Sequence, residues 1–323
     1  MKAAILNSPD ATPLYGEFPD PEPSAGYDLV TMVSAGIHPL VRALASGKHY
    51  ASRGAWPMIP GVDAVAQTAD GLLVYTGFIK PPYGTFAERL AAPAAMRFTL
   101  PENANPVQIA GGMNPGVSSW MPLNARKQEV KQLGTVLILG VTGMAGLLAV
   151  QNAFALGAER VIGVGRNAAG LKLASQKRAE TVSLSGDRKT DAAAIAKALG
   201  TSAPTLVLDF VWGEPAQAIF DALGQSPFED EDKSDISYIQ IGSMAGAEAA
   251  LPAALLRSRR IRISGSGLGS ATLANIMAQV PVYMQLIADG KVEVPTRVFP
   301  LSKIADAWAS NDSARRVVVV PDK

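Results

Sequence analysis

The chain has 323 residues, a formal net charge of +1 and 18% charged side chains. That is length enough for about two domains, but the charge is too balanced for a nucleic-acid surface, and no dense Lys/Arg stripe is present. Cysteine is absent, which excludes disulfides and thiolate chemistry and leaves any metal site to histidine and carboxylate ligands. The opening MKAAILNSPD carries too short an apolar run for a secretory signal, and no later stretch reads as a membrane span, so a cytoplasmic protein with no membrane partner is expected.

Residues 1 to about 110 read as β-rich, with short apolar runs at 2–6, 29–34, 64–68, 72–75 and 86–90 separated by proline and glycine turns. The stretch 39–46 predicts one short helix, and 57–63 a stiff loop into the next strand. Residues 107–120, interrupted by Gly111-Gly112 and Asn114-Pro115, predict a helical connection to a second domain. From Thr135 the cadence changes. Strands are predicted at 135–139, 160–165, 181–184, 205–210, 236–241 and 261–265, and helices at 168–177, 190–199, 215–223 and 252–258. Such alternation implies an α/β fold with a doubly wound parallel sheet. The acidic run 229–235 reads as a solvated loop. After Gly269 come a helix to about Ala288, a strand at 297–300, a helix from Ser302 and a last strand at 316–320, a tail expected to return to the first domain.

The stretch 135–158 organises the rest. Thr135–Leu139 reads as a strand buried on both faces. Gly140, Gly143 and Gly146 follow at three-residue spacing, and then a helix that closes at Gly157. A strand turning tightly into a helix presents unpaired N–H groups and the positive end of the helix dipole, and glycines remove the Cβ atoms that would hold a pyrophosphate away. Three glycines, Thr142, Gln151 and Asn152 interrupt the run and argue against a transmembrane helix. In dinucleotide folds the end of the second strand, about 20 residues past the glycines, meets the adenosine ribose. An acid there would bind the 2′-hydroxyl of NAD; here Gly165 is followed by Arg166 and Asn167, and an arginine offers a fork of donors to the 2′-phosphate of NADP.

The chain resembles the zinc-independent quinone oxidoreductase branch of the medium-chain dehydrogenase/reductase superfamily. The resemblance rests on the order and spacing of MKAAIL, Ala35-Gly-Ile-His-Pro39, Ser46-Gly47, Tyr50, Pro60-Gly-Val-Asp63, Gly84-Thr-Phe-Ala-Glu88 and Asn114-Pro-Gly-Val-Ser-Ser-Trp120. It continues through the glycine turn, Ile241-Gly-Ser243, Gly265-Ser-Gly-Leu-Gly269, Phe299-Pro-Leu301 and residues 317–321. It implies a GroES-like β-rich catalytic domain from residues 1–113 and 267–323, a Rossmann NADP-binding domain from 114–266, and a homodimer paired through the Rossmann edge strands. The zinc alcohol dehydrogenases carry cysteine where Ile37 stands, a His-Glu pair where Val62 and Asp63 stand, and a cysteine lobe after a segment like 71–83, so no zinc is expected. Met144 stands where the quinone reductases usually have a further glycine. A short-chain dehydrogenase, the other home of such a turn, would need a Tyr-x-x-x-Lys pair, which is absent.

By resemblance, Asn114 and Val117 would lie near the nicotinamide, with Gly140, Thr142, Gly143, Met144, Ala145 and Gly146 at the pyrophosphate turn. Arg166 and Asn167 would take the 2′-phosphate, and Gly242, Ser243, Gly265, Ser266 and Gly267 would contact the carboxamide. Without zinc there is no Lewis acid to polarise an alcohol, which leaves hydride transfer from NADPH to a small-molecule quinone or α,β-unsaturated carbonyl. Tyr50 is the first candidate to donate a proton, followed by His49 and His38, while Asp63, in the vacated metal region, is expected to orient backbone N–H groups. Trp56 and Trp120 read as packing residues. Two alternatives stand beside this reading: an enoyl-thioester reductase, and a protein that binds NADPH without turnover as a sensor or structural component.

Overall fold

The computed structural model describes the whole chain except residues 53–55, 226–234, 268, 271 and 323. The acidic run expected as a solvated loop therefore lies outside the described residues, apart from Asp235, whose carboxylate pairs with Arg126 at 2.9 Å. In chain order the elements are β1 (Lys2–Ile5), β2 (Leu14–Glu17), β3 (Tyr27–Ile37), α1 (Pro39–Ala45), β4 (Asp63–Gln67), β5 (Leu73–Gly77), β6 (Arg89–Pro93), β7 (Phe98–Thr99) and α2 (Pro106–Glu129). Next are β8 (Thr135–Leu139), α3 (Met144–Ala155), β9 (Arg160–Gly165), α4 (Ala168–Gln176), β10 (Glu180–Ser183), α5 (Arg188–Leu199), β11 (Leu206–Asp209) and α6 (Gly213–Gly224). The chain closes with β12 (Ile236–Gln240), α7 (Ala253–Ser258), β13 (Ile261–Gly265), α8 (Leu273–Ala288), β14 (Thr296–Pro300), α9 (Ile304–Ala309) and β15 (Arg316–Val320). It divides into two compact units, Met1–Pro115 with Met277–Lys323, and Gly116–Ile276, and both divisions fall inside helices, α2 and α8.

The first unit is built on a mixed sheet in the order β14-β15-β3-β4-β5-β7, with β6 added to β3 and a separate β1-β2 ribbon. Apart from the parallel β14–β15 pair its ladders are antiparallel. Its core gathers Met32, Ile37, Val41, Ile59, Phe86, Leu90, Ile304 and Val319. The apolar run at 86–90 is divided between two partners. Ala87 bridges Ala3, Phe86 accepts from the Ala4 N–H at 2.9 Å, and only from Arg89 does the chain pair with β3, so the strand begins three residues later than its composition suggests.

Helix α2 is likewise longer than expected, one continuous helix to Glu129. The paired glycines that read as a break are there for close packing. A Cβ on Gly112 would stand 2.6 Å from Val294 Cγ2, and one on Gly111 would stand 3.1–3.2 Å from the side chains of Thr296, Arg316 and Val318. Gly36 on β3 answers them, since its Cβ would lie 2.6 Å from the Ala110 carbonyl oxygen.

The second unit is a six-stranded, all-parallel sheet in the order β10-β9-β8-β11-β12-β13. Strand β8 is central and buried on both faces, as its unbroken apolar sequence requires. Leu137 and Leu139 join the cluster formed with α5, α6 and α7, while Val136 and Ile138 face the cluster formed with α2, α3 and α4. Because β8 has β9 on one side and β11 on the other, the order in which strands are added reverses there, the place where doubly wound sheets open a crevice at the carboxyl ends of their strands.

Candidate functional site

The register aligns the carboxyl ends of the strands in a row. Leu139 stands beside Val164 and Asp209, Asp209 beside Gln240, and Gln240 beside Gly265. Four groups of the predicted cofactor-binding residues follow from this edge: Gly140–Gly146 after β8, Arg166 and Asn167 after β9, Gly242 and Ser243 after β12, and Gly265–Gly267 at the end of β13, while Val117 lies on α2.

The three glycines of the turn have three different causes. Gly140 has φ +91°, a left-handed conformation that side chains rarely adopt, and its Cβ would lie 2.9 Å from Val211 Cγ1. Gly146 is needed where α3 crosses the strand end, since its Cβ would come within 2.4 Å of the Gly140 carbonyl oxygen and 2.6 Å of Val141 Cα. Gly143 is different. It is exposed, its φ is −90°, and the nearest atom to an added Cβ is 3.9 Å away, so nothing inside the protein demands a glycine there. It is also the N-cap of α3, and no side chain caps that first turn, whereas α4 and α5 are capped by Asn167 and Asp187. Uncapped N–H groups at an exposed, Cβ-free helix start make an anion-binding surface. Met144, the first residue of the helix, is 6% exposed, so its side chain is packed away.

Thr142 ties this turn to the end of β9. A Cβ on Gly165 would meet Thr142 Cγ2 at 2.6 Å, and one on Gly170 of α4 would meet Thr142 Cβ at 2.6 Å. Arg166 is therefore set at a fixed place relative to the turn. It is exposed, and among the described residues its guanidinium makes no hydrogen bond or ion pair, in contrast to Arg126, Arg160, Arg188 and Arg262, which pair with carboxylates. Asn167 has a structural task, because its Oδ1 accepts from the Gly170 N–H at 2.8 Å and caps α4. Asn167→Ala should cost about 1 kcal/mol of stability, read by chemical denaturation, whatever the side chain contributes to a ligand.

A residue that sequence reasoning missed is Asp209, fully buried at the end of β11. Its Oδ1 accepts from the Val211 and Trp212 N–H groups at 2.9 and 2.8 Å, and its Oδ2 from the Tyr238 hydroxyl at 2.6 Å. Burial raises its pKa above the usual carboxylate value, against the pull of those three donors. It shapes the β11–α6 loop, where Trp212 adopts φ +54° and Gly213 φ +65°. The sequence signal was present: a single acid closing the apolar run Leu206–Asp209. Gly242 packs on the same loop, since its Cβ would lie 2.4 Å from the Phe210 carbonyl oxygen. Ser266 joins β12 through its N–H to the Gln240 carbonyl at 2.8 Å.

In the first unit, His38, Asp63 and Tyr75 form a buried chain. His38 Nε2 stands 2.9 Å from Asp63 Oδ1, and the Tyr75 hydroxyl donates to Asp63 Oδ2 at 2.7 Å. Both carboxylate oxygens are thus engaged by side chains, which corrects the expectation that Asp63 orients backbone N–H groups. Burial, followed by the adjacent Asp63 charge, raises the Tyr75 hydroxyl well above its ordinary value, so it remains a donor. Arg316 donates from a terminal nitrogen to the Ile37 carbonyl at 3.0 Å, and burial lowers its pKa to about 10 although Asp63 opposes the shift. His49 and Tyr50 lie elsewhere, on the loop after α1, with ring centroids 4.1 Å apart and planes tilted by 33°. Tyr50 is 75% exposed, while partial burial lowers the His49 pKa. Asn114 and Val117, both half-buried, sit one turn apart on α2. Trp120 is buried, in keeping with a packing role.

Among the described residues no group of three or more His, Cys, Asp or Glu could hold a metal ion, and no helix is long and apolar enough to cross a membrane. The chain thus carries a parallel sheet with a glycine turn and, in its other unit, a sheet whose ladders are antiparallel apart from the β14–β15 pair. No protein-family model matches the chain. Over 99% of its length it is 30% identical to the probable NADPH-dependent quinone reductase of Emericella nidulans, all of which is covered. A mycobacterial quinone oxidoreductase superposes with a TM-score of 0.82 at 19% identity, over 99% of this chain and all of that one. The quinone oxidoreductase of Thermus thermophilus, also solved with NADPH, gives 0.76 at 22% identity over 99% and 100%. The chain is an oxidoreductase and belongs to the quinone oxidoreductase branch of the medium-chain dehydrogenase/reductase superfamily.

Proposed function

We propose that the chain reduces an electron-poor acceptor, a quinone or an α,β-unsaturated carbonyl, with NADPH and without zinc. The observation that carries the cofactor assignment is Arg166, an exposed guanidinium with no partner among the described residues, held beside an uncapped, Cβ-free helix start. Those residues fit a phosphorylated dinucleotide. Gly143 with the N–H groups of Met144, Ala145 and Gly146 would hold the pyrophosphate, Arg166 the 2′-phosphate, and the backbone of Gly242–Ser243 and Gly265–Gly267 the carboxamide. Asn114 and Val117 would flank the nicotinamide. The printed name of the Emericella relative supports the same cofactor and a quinone acceptor.

When bound, NADPH supplies the hydride; the chain supplies orientation, exclusion of water and a proton. Zinc independence is supported by Ile37 and Val62, which offer no ligand atoms, and by Asp63, whose oxygens are already taken. The candidate proton donors are Tyr50, His49 and His38. We read the protein as a cytoplasmic homodimer paired through an edge of the Rossmann sheet, where β13 presents unpaired backbone groups and sedimentation would show twice the chain mass.

The test follows the absorbance of NADPH, and separately NADH, against benzoquinone, 9,10-phenanthrenequinone, an alkenal and crotonyl-CoA. Turnover with NADPH on a quinone or the alkenal, with NADH at least tenfold poorer in kcat/KM, is the expected outcome. Equal use of the two nucleotides would sink the cofactor assignment, and turnover confined to crotonyl-CoA would replace the acceptor class with enoyl thioesters.

A further inference from the structure

Asp209 is a fully buried acid at the end of β11, and the reduction proposed above gives it no task. Its Oδ1 accepts from the Val211 and Trp212 N–H groups and its Oδ2 from the Tyr238 hydroxyl. All three contacts are donors, so the side chain serves here as an acceptor. Those bonds hold a loop in a shape it would not keep unaided. Trp212 at φ +54° and Gly213 at φ +65° are both left-handed, and a bulky side chain in that region persists only where its surroundings enforce it. On one side the loop abuts the glycine turn. The Phe210 N–H donates to the Leu139 carbonyl at 3.0 Å, and Val211 Cγ1 would stand 2.9 Å from a Cβ on Gly140. On the other side it is bonded to the segment after β12. The Asp209 carbonyl accepts from the Ile241 and Gly242 N–H groups at 2.7 and 3.1 Å, and the Val211 carbonyl from the Ala245 N–H at 2.7 Å. All of these residues belong to the sheet unit.

We propose that Asp209 is a positioning residue for the dinucleotide: by fixing the β11–α6 loop, its carboxylate sets the glycine turn and Gly242–Ser243 in register with each other. This rests on the NADPH reading given above. The pyrophosphate would meet the turn and the carboxamide would meet Gly242–Ser243, so a ligand that reaches both is held only when the two segments stand at the right separation. The carboxylate bonds to neither segment and acts through the loop between them. A cradle already held in its bound geometry binds more tightly, because less ordering is left to the binding step. Without the carboxylate, Trp212 is free to leave its left-handed conformation, and Val211 moves away from Gly140 and Ala245 with it.

The test compares, by calorimetry, NADPH with 2′,5′-ADP, the adenosine half that carries the 2′-phosphate and one bridging phosphate but no nicotinamide. Asp209→Ala should raise the Kd for NADPH at least about tenfold and that for 2′,5′-ADP by no more than about threefold, since the fragment does not reach Gly242. A merely structural defect, which removes folded protein, would weaken both ligands alike. Asp209→Asn keeps a side-chain oxygen for the Val211 and Trp212 N–H groups and should recover most of the lost NADPH affinity. If Asp209→Ala does not fold, Asp209→Ser, whose hydroxyl accepts from one of those groups, makes the same comparison. Its loss of NADPH affinity should exceed its loss of 2′,5′-ADP affinity at least about threefold. Equal losses for the two ligands, or an Asp209→Asn protein that binds NADPH no better than Asp209→Ala, would overturn the proposal. So would NADPH binding by Asp209→Ala within about threefold of native. Native protein that binds neither ligand would overturn the cofactor reading and the proposal with it, and that failure is seen before any variant is made.

Discussion

Gly146→Ala should unfold the sheet unit or leave it severely destabilised, whereas Gly143→Ala should fold normally and bind NADPH poorly. The two residues are three apart in one turn, yet a Cβ on Gly146 would press to 2.4 Å on a backbone carbonyl and 2.6 Å on a backbone Cα, neither of which can swing aside as a side chain tip would. Overpacking in a close-packed interior costs about 1–3 kcal/mol even where side chains yield, and here the strand end and helix start must separate. That is a large share of a total stability of about 5–15 kcal/mol. At Gly143 the added methyl meets only open space, with 3.9 Å to its nearest neighbour. Its penalty falls on the ligand, because the methyl stands where an anion would approach the first N–H groups of α3. Thermal melts should therefore separate the variants, with Gly143→Ala within about 1 kcal/mol of the parent. Calorimetry should show its NADPH Kd raised at least about tenfold, equivalent to 1.4 kcal/mol. A stable Gly146→Ala protein, or a Gly143→Ala protein with native affinity, would contradict the account of the turn.

Arg166→Ala should raise the KM for NADPH by about 10- to 100-fold and leave the KM for NADH nearly unchanged. A charge-assisted hydrogen bond contributes about 1.5–3 kcal/mol, and the 2′-phosphate is the only group that distinguishes the nucleotides. Because Arg166 has no partner among the described residues, its removal should leave the melting temperature where it was. Arg166→Lys should restore part of the affinity, as a point charge without the planar fork, and added salt should narrow the gap between the cofactors. Equal losses for both nucleotides would show that Arg166 does not meet the phosphate.

Much of this was legible in the chain because the signals are local. Alternation of buried strands with helices announced the parallel sheet, and the glycine spacing together with Arg166 after β9 marked one edge of it. What escaped depends on contacts distant in sequence. Gly111 and Gly112 looked like a helix break because the side chains of Thr296, Val294 and Arg316 that need the space come almost two hundred residues later. The short strands β2 and β7 have no apolar run of their own and exist through their partners. Asp63 read as a loop organiser because nothing in the sequence places Tyr75 and His38 at its two oxygens. Asp209 was hidden in a strand that otherwise reads as core.

The unequal demands on Gly140, Gly143 and Gly146 have a consequence for any library that varies this turn together with the end of β9. Selected for abundance in the cell, the library should retain glycine at 140 and 146 and drift freely at 143. Selected for growth on a toxic quinone, it should retain glycine at all three. Subtracting one enrichment map from the other would leave the positions whose identity answers to the ligand alone, and Gly143 and Arg166 should stand highest in that difference.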